Sequence, residues 1–465
     1  MPLATLRSFA AFLLQILIAW CALPCVAQET VADKLDSTSE QRGYQFLTNK
    51  AYLPADFDQE TFDLLWQNWP EELRKEAADA TVEQRRQMTF DYYGLTPRPE
   101  DEKLPLQYVV GKDGAWRMNC FACHGGKVEG RVVPGLPNSL YLLHTLTEDV
   151  RVAKLLTGKK LTHMDLGSMA MPLGRTRGTT NAVMFGVALV AQREPDLTVK
   201  KLTRPPPMTH HDMDAPPWWH FKKKQKLYID GFANKDARSL MQFMLVRENG
   251  PEQFKEWEPD FEDIYAYLES IEPPPYPGEI DNDLAASGER VFRKHCADCH
   301  GTYDADPAKE TYPNRLVPIE EAGTDRVRLD ALSPAARRRY GKTWFAHFGE
   351  QEIIADPGGY VAPPLDGIWA SAPYFHNGSV PTLWHVLHSD QRPKIWRRTD
   401  NGYDHERIGL AIETFDKLPK EVNSARAARW YFDTRGPGKS AEGHTFPDDL
   451  NAEQKRAVLE YLKTL

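Results

Sequence analysis

Two short cysteine motifs constrain this chain more than any other feature. Each has two cysteines separated by two residues, with a histidine directly after the second cysteine. The six residues are Cys120, Cys123 and His124 in the first motif and Cys296, Cys299 and His300 in the second. Disulfides and zinc sites do not require that histidine, whereas haem c attachment uses both thiols as thioethers and the imidazole as proximal iron ligand. We predict two covalently bound haem c groups; a four-thiolate zinc site or redox disulfides are the alternatives.

The first 27 residues have the composition of a secretory signal peptide. Arg7 is their only charge, an apolar run extends from Phe9 to about Leu23, and Cys25-Val26-Ala27 places small residues at a cleavage site. An uncleaved anchor is the alternative, for which about 15 apolar residues interrupted by Gln15 are short. We expect export to the periplasm or the medium, without a stable membrane span.

The chain length indicates the number of domains, and the net charge indicates which partners are unsuitable. A chain of 465 residues corresponds to about three units of about 150 residues each. The hydrophobic content of 41% is that of a packed protein, and the net charge of −9 makes nucleic acid an unsuitable partner.

The order of elements around the two motifs repeats. Ala215-Pro216-Pro217 follows the first motif and Ala362-Pro363-Pro364 the second; 13 residues after each alanine, Tyr228-Ile229-Asp230-Gly231 and Phe375-His376-Asn377-Gly378 begin. A helix-like apolar stretch and a candidate terminal helix follow in each copy. The stretches are 239–244 and 382–387, and the terminal helices lie at 264–268 and 458–462. The repeat predicts a duplicated haem domain.

These boundaries give the expected architecture. The proline-rich residues 272–278 cannot be helical and serve as an interdomain linker. The predicted fold is mainly α, with two tandem cytochrome c-type domains that contain long loops, after an N-terminal helical extension. The predicted segments are the signal peptide at 1–27, the extension at 28–105, and the cytochrome domains at 106–275 and 283–465. Asn451 and Gln454 are placed to cap the last helix.

Over residues 106–465 the chain resembles the bacterial di-haem cytochrome c peroxidase superfamily. The most specific stretch is 364–383, Pro-Leu-Asp-Gly-Ile-Trp-Ala-Ser-Ala-Pro-Tyr-Phe-His-Asn-Gly-Ser-Val-Pro-Thr-Leu. That stretch, the chain length and Gly443-His444-Thr445-Phe446 are closer in pattern to the rubber oxygenase-like branch. The resemblance implies that the first haem reacts with peroxide or O2 and that the second transfers electrons. Some relatives hold a calcium ion between the domains, which the sequence leaves open here.

The second haem cannot take a methionine ligand from its own domain, because all 11 methionines lie at or before Met244. Its sixth position is therefore filled by histidine or tyrosine, or is open. The histidine candidates are His347, His376, His385, His388, His405 and His444. The resemblance implies His444 as the ligand and places His376 at the haem edge or a propionate.

The first haem site departs from the peroxidases. Their inter-haem Trp and distal Gln align with Ile229 and Phe243, which implies an apolar pocket that favours O2 or a hydrophobic substrate over peroxide cleavage. A place for Phe243 in the core is the alternative. Trp218 and Trp219 are candidates for electron relay or for plain aromatic packing.

Two loop-like stretches add alternatives for charge and iron ligation. The basic run 222–224 could bind haem propionates, dock an acidic redox partner or form a solvated turn. One of Met164, Met169 and Met171 could be the sixth ligand of the first iron.

Two functions follow from these patterns. One is an exported di-haem oxidoreductase with peroxidase-like or oxygenase-like chemistry, and the alternative is a non-catalytic electron-transfer cytochrome with both haems six-coordinate. The expected partner is a small redox protein or a small-molecule electron donor or acceptor.

Overall fold

Helices supply most of the regular structure in the computed structural model, which describes residues 37–171, 173–201, 204 and 206–465. Helical residues make up 44% and strand residues 12%, so the mainly α expectation fits only loosely. The α-helices are α1 Ser39–Asn49, α2 Gln59–Leu64, α3 Glu71–Asp79, α4 Val82–Tyr93, α5 Phe121–His124, α6 Leu143–Leu156, α7 His163–Ala170, α8 Ala182–Ala191, α9 Ala237–Leu240, α10 Pro251–Ser270, α11 Asn282–His295, α12 Ala297–His300, α13 Ile319–Ala322, α14 Val327–Ala331, α15 Pro334–Gly341, α16 Leu383–Leu387, α17 Ala425–Ala428 and α18 Ala452–Leu462. The predicted signal peptide, with Cys21 and Cys25, lies outside the described residues.

The strands are short and antiparallel, apart from one long hairpin. They are β1 Phe57–Asp58, β2 Tyr108–Val110, β3 Ala115–Met118, β4 Lys127–Val128, β5 Arg131–Val132, β6 Lys226–Leu227, β7 Ala233–Asn234, β8 Leu316–Pro318, β9 Gly359–Val361, β10 Ile395–Asp404, β11 Gly409–Phe415 and β12 Phe432–Asp433. β10 and β11 pair from Ile395 opposite Phe415 to Asp404 opposite Gly409. This hairpin is not among the elements predicted from the sequence.

Two pairs of crossing helices repeat the same contact. α1 packs on α10 and α11 packs on α18, each pair meeting at a glycine. A Cβ on Gly43 would lie 2.2 Å from the Asp263 carbonyl oxygen, and one on Gly288 would lie 1.9 Å from that of Ala457. Glycine therefore lets the two backbones touch. Helix α1, from the predicted N-terminal extension, thus packs on the terminal helix of the first predicted haem domain.

The two predicted terminal helices are confirmed, whereas the role of residues 272–278 as an interdomain linker stays a prediction. Residues 264–268 lie inside α10, and 458–462 lie inside α18. The Asn451 side chain accepts from the Gln454 backbone N–H while the Gln454 side chain accepts from the Asn451 N–H, which forms the expected capping box. Residues 272–278 contain no helix or strand.

Residues Ser39–Leu465 form one compact unit. One core joins residues of both predicted haem domains, for example where the Phe254 ring contacts Trp344 and Phe345. A second core collects the aromatic side chains of 57–116 against α6. In the described part of the chain, no helix has the length and apolar composition needed to cross a membrane.

Candidate haem sites

The histidine of the first motif is held by a backbone carbonyl. His124 ends the single-turn helix α5, its Nδ1 donates to the Pro216 carbonyl oxygen at 3.1 Å, and its ring stacks on Trp218 with centroids 4.8 Å apart. Burial lowers the pKa of His124 to about 4, so the ring is neutral at pH 7. Because Nδ1 carries the proton, the Nε2 lone pair is free to bind a metal.

The second motif repeats this arrangement. His300 ends α12, and its Nδ1 donates to the Pro363 carbonyl oxygen at 2.8 Å. Burial lowers the pKa of His300 as well. Pro216 and Pro363 are the middle residues of the two Ala-Pro-Pro segments. The repeat is visible in the sequence, but the role of these carbonyl groups is not; the shared offset of the two segments is the sequence signal that points to it.

His444 faces His300. The centroids of the two rings lie 6.2 Å apart, close to the roughly 6 Å expected when two imidazoles bind one metal from opposite sides at about 2 Å each. The backbone fixes His444, which has φ +48° and donates its N–H to the Ala322 carbonyl oxygen at 2.6 Å. The rings of Phe375 and Phe446 flank it at 5.9 and 5.4 Å. The structure thus brings His300 and His444 together.

Most of the other histidine candidates have partners of their own. His347 pairs with Asp236, His385 with Thr382, His388 with the Trp384 carbonyl, and His405 with Glu129. His376 differs, because its Nε2 is buried without a hydrogen-bond partner and its ring lies 4.5 Å from that of Tyr360. It stays a candidate for the haem edge or a propionate.

Within the described ranges, the His124 ring has no such opposite imidazole. In the described residues its ring contact is with Trp218, and no second histidine ring pairs with it as His444 pairs with His300. The loop expected around Met164, Met169 and Met171 is largely the helix α7, which packs on α6. Met169 is 61% exposed, so its side chain points to solvent.

The donor set fits haem c better than the alternatives. The four motif cysteines are free thiols in the structure and form no disulfide with one another: Cys120, Cys123, Cys296 and Cys299. Among the described residues no three or more His, Cys, Asp or Glu side chains are arranged to hold a metal ion. The described residues therefore give no support to the four-thiolate zinc alternative, and whether a calcium ion is bound stays open. Free thiol pairs beside anchored imidazoles are what haem c attachment requires.

Phe243 lies at a cleft rather than in the core. It is 36% exposed and lines the cleft with Tyr228 and Gln242. The alternative of a core position for Phe243 is therefore wrong. This cleft is not uniformly apolar, because its lining includes Gln242 and three arginines, Arg328, Arg337 and Arg339. The apolar distal pocket at the first haem stays a prediction.

The repeat extends to the backbone of this cleft. Tyr228 has φ +67° and Phe375 has φ +69°. In each turn the glycine three residues later, Gly231 or Gly378, donates its N–H to the carbonyl oxygen of the aromatic residue, at 3.2 and 3.0 Å. Tyr228 in the first copy therefore occupies the turn position that Phe375 occupies in the second copy.

The tryptophan pair connects the two copies. Trp218 contacts the His124 ring, whereas Trp219 donates its Nε1–H to the Asp366 carbonyl oxygen at 2.7 Å, three residues after Pro363.

The first two lysines of the basic run beside the tryptophans have carboxylate partners. Lys222 pairs with Glu272, and Lys223 pairs with Asp366 and Glu310. Lys224 has no pairing carboxylate in the described residues, and burial lowers its pKa to about 8.

Comparison with known proteins supports a cytochrome. The family model described as RoxA-like, cytochrome c-like, matches residues 359–397, which include Pro363, Phe375 and His376. This segment is less than a tenth of the chain. The match indicates a c-type cytochrome with haem c and iron.

Two proteins of Sinorhizobium fredii (strain NBRC 101917 / NGR234) are similar to parts of the chain. Uncharacterized protein y4iM is 27% identical over 236 residues, which cover 43% of this chain and 52% of that protein. Uncharacterized protein y4iJ is 29% identical over 258 residues, which cover 42% of this chain and 41% of that protein. The chain thus spans about half or less of the length of these relatives.

Proposed function

We propose that this c-type cytochrome is an exported di-haem oxidoreductase. Cys120, Cys123 and His124 hold the first haem, and Cys296, Cys299 and His300 hold the second. The first haem is the site at which peroxide or O2 reacts, and the second exchanges electrons with a small redox protein or a small-molecule donor or acceptor.

The asymmetry between the two histidines carries this proposal. His300 has His444 opposite its ring at 6.2 Å, whereas the described residues offer His124 no opposite imidazole. Haem iron supplies electron transfer when six-coordinate and small-ligand binding when one position is open. The first site thus suits chemistry on a small ligand, and the second suits electron transfer.

The protein's own residues prepare both sites. The carbonyl oxygens of Pro216 and Pro363 hold the protons of His124 and His300 on Nδ1, which leaves each Nε2 as the ligand atom. Phe375 flanks the His444 ring in the second copy, and Tyr228 occupies the equivalent position in the first copy. Because Tyr228 also lines the cleft with Phe243, this equivalence supports a position of the cleft beside the first haem.

Trp218 and Trp219 are proposed to carry electrons between the haems. Support comes from Trp218 stacking on His124 and from Trp219 bonding to Asp366, close to Pro363. The two adjacent indoles thereby connect the proximal sides of the two sites.

Haem counting and electron paramagnetic resonance test the proposal on the purified holoprotein. We expect two haem c per chain, one high-spin and one low-spin in the oxidised state. In the double variant Cys120→Ser/Cys123→Ser only the low-spin signal should remain, and in Cys296→Ser/Cys299→Ser only the high-spin signal. Two low-spin haems would contradict the catalytic assignment and favour the electron carrier, and a single haem would contradict the di-haem assignment.

A further inference from the structure

The cleft beside Phe243 has an apolar wall and a cationic wall. Helix α8, with Phe232 and Phe243, supplies the apolar side, while Arg328, Arg337 and Arg339 lie among the lining residues. None of the lining residues in the described part of the chain is an Asp or Glu. The cleft therefore concentrates positive charge next to an apolar surface.

One buried carboxylate is shared by two of these guanidinium groups. Asp230 is fully buried and accepts from Arg337 at 2.7 and 3.2 Å, but from Arg328 only at 3.3 and 3.4 Å. Arg328 is 1% exposed, and its Nε is buried with no acceptor. Two cations against one anion leave a surplus positive charge and an unused donor, and both are costly when buried.

The neighbouring titratable groups do not give Arg328 a second ion-pair partner. The pKa values of His211 and His376 are lowered to about 4 and about 3, chiefly by burial and in part by the charge of Arg328, so both rings are neutral. Burial raises the pKa of the Tyr228 phenol well above its usual value. The Asp325 carboxylate accepts from the backbone N–H groups of Val327 and Ser440. Its negative charge is therefore nearby, but the ion pairs of Arg328 and Arg337 in the described residues are with Asp230. An anion from outside this cluster would complete it.

We infer that the cleft binds a carboxylate attached to an apolar body, with Arg328 as the anchoring residue. Arginine matches the planar geometry of a carboxylate, and the α8 wall accepts the apolar part. This carboxylate comes either from a haem propionate or from a free apolar carboxylic acid. The inference concerns ligand binding and holds for either redox role of the haems.

Calorimetric titration of the holoprotein with octanoate, with acetate as the polar comparison, tests the free-acid source. Octanoate should bind more tightly than acetate, because it also covers the apolar wall. Arg328→Lys keeps the charge beside Asp230 but removes the Nε donor, and it should weaken octanoate binding at least about tenfold, the equivalent of one charge-assisted hydrogen bond. Arg338→Lys, the same change at an exposed position on α15 outside the cleft, should leave binding unchanged.

The midpoint potentials of the haems test the propionate source. If a propionate fills the site, octanoate does not bind and Arg328→Gln lowers the potential of one haem, because a cation beside a propionate favours the more negative, reduced state. Arg328→Lys, which keeps the charge, should show a smaller shift. The inference is overturned if octanoate does not bind and both variants keep the two potentials of the unmodified protein.

Discussion

At the scale of single residues, His444 is the side chain whose removal is most informative. Its ring faces His300 at 6.2 Å, and its backbone is fixed by the bond to Ala322. If His444 is the sixth ligand of the proposed second haem, His444→Ala should convert that haem from low spin to high spin while both thioether bonds remain. Electron paramagnetic resonance and a haem count on the purified variant measure both effects.

A second histidine serves as the control for this change. His405 lies at the surface, where it bonds to Glu129 and Tyr276. His405→Ala should keep the low-spin signal of the unmodified protein. An unchanged low-spin signal in His444→Ala would show that His444 is not the ligand and would move attention to His376.

Phe243 tests whether the cleft adjoins the first haem. Because its side chain is partly exposed, Phe243→Gln should cost little stability, yet it places an amide donor in the cleft. Cyanide affinity of the oxidised holoprotein should change by about fivefold, which corresponds to about 1 kcal/mol for one hydrogen bond. Optical titration measures this change.

The matched control for Phe243 is another exposed phenylalanine. Phe348 lies outside the cleft lining and is also exposed, so Phe348→Gln should leave cyanide affinity unchanged. Equal affinities in all three proteins would place the cleft away from the iron.

At the scale of helices, the two crossing contacts depend on glycine. An alanine at position 288 would place Cβ 1.9 Å from the Ala457 carbonyl oxygen, so α11 and α18 would have to separate. Gly288→Ala should lower the free energy of unfolding by about 2 kcal/mol or more. Thermal or chemical denaturation of the holoprotein measures the loss.

Gly167→Ala provides the comparison within another helix. Gly167 lies in α7, and its nearest neighbour would be the flexible Met171 Cε at 3.3 Å. This substitution should be neutral or stabilising by up to about 1 kcal/mol, because alanine is the better helix former. A similar loss in both variants would refute the crossing-contact explanation.

Local patterns in the sequence predicted some elements and not others. The capping residues Asn451 and Gln454 predicted α18, since a capping box is a local arrangement. The hairpin of β10 and β11 was missed because its pairing is interrupted between Arg398 and Tyr403. The packing of α1 on α10 joins Gly43 to Asp263 and Tyr267, a contact between distant residues that no local pattern reveals.

Asp56 should make stability depend on pH. It is buried, accepts from the Met118 N–H at 3.2 Å, and has a pKa raised to about 7, mainly by burial. Since the folded pKa exceeds the unfolded value of about 4, the contribution of Asp56 to stability is largest below about pH 4 and is lost as pH rises through 7. We compare the free energy of unfolding of the wild type with that of Asp56→Asn, in which residue 56 cannot ionise. From pH 5 to pH 8 the wild-type value should fall by about 3 kcal/mol relative to the variant.

Asp58 provides the control for this pH effect. Its pKa is lowered to about 2, with hydrogen bonds from Lys159 and Thr61 outweighing the effect of burial, so it stays ionised over the same range. Asp58→Asn should therefore show the same difference from wild type at pH 5 and pH 8. Unfolding curves of the three proteins at both pH values provide the measurement, and a constant difference for Asp56→Asn would rule out a titration of Asp56 in this range.

At the scale of the whole molecule, the two sequence copies share buried contacts. Asp230 of the first copy pairs with Arg328 and Arg337 of the second. Trp219 and Asp366 make a further contact between the copies. The repeated motifs predict a duplication, but these contacts join residues 98 to 147 positions apart and have no sequence signal.

Because its ion pairs join the two copies, Asp230 should contribute to the free energy of unfolding of the whole molecule. Asp230→Asn leaves two buried guanidinium groups without their carboxylate, which should cost about 3 to 5 kcal/mol of unfolding free energy. Asp263→Asn, which removes the partly exposed pair with Arg42, should cost at most about 1 kcal/mol. Because the Asp230 contacts span both copies, tryptophan fluorescence and haem absorbance should report the same denaturation midpoint, lowered in Asp230→Asn by both probes. Separate midpoints would mean that the two copies unfold independently and that Asp230 stabilises only its own surroundings.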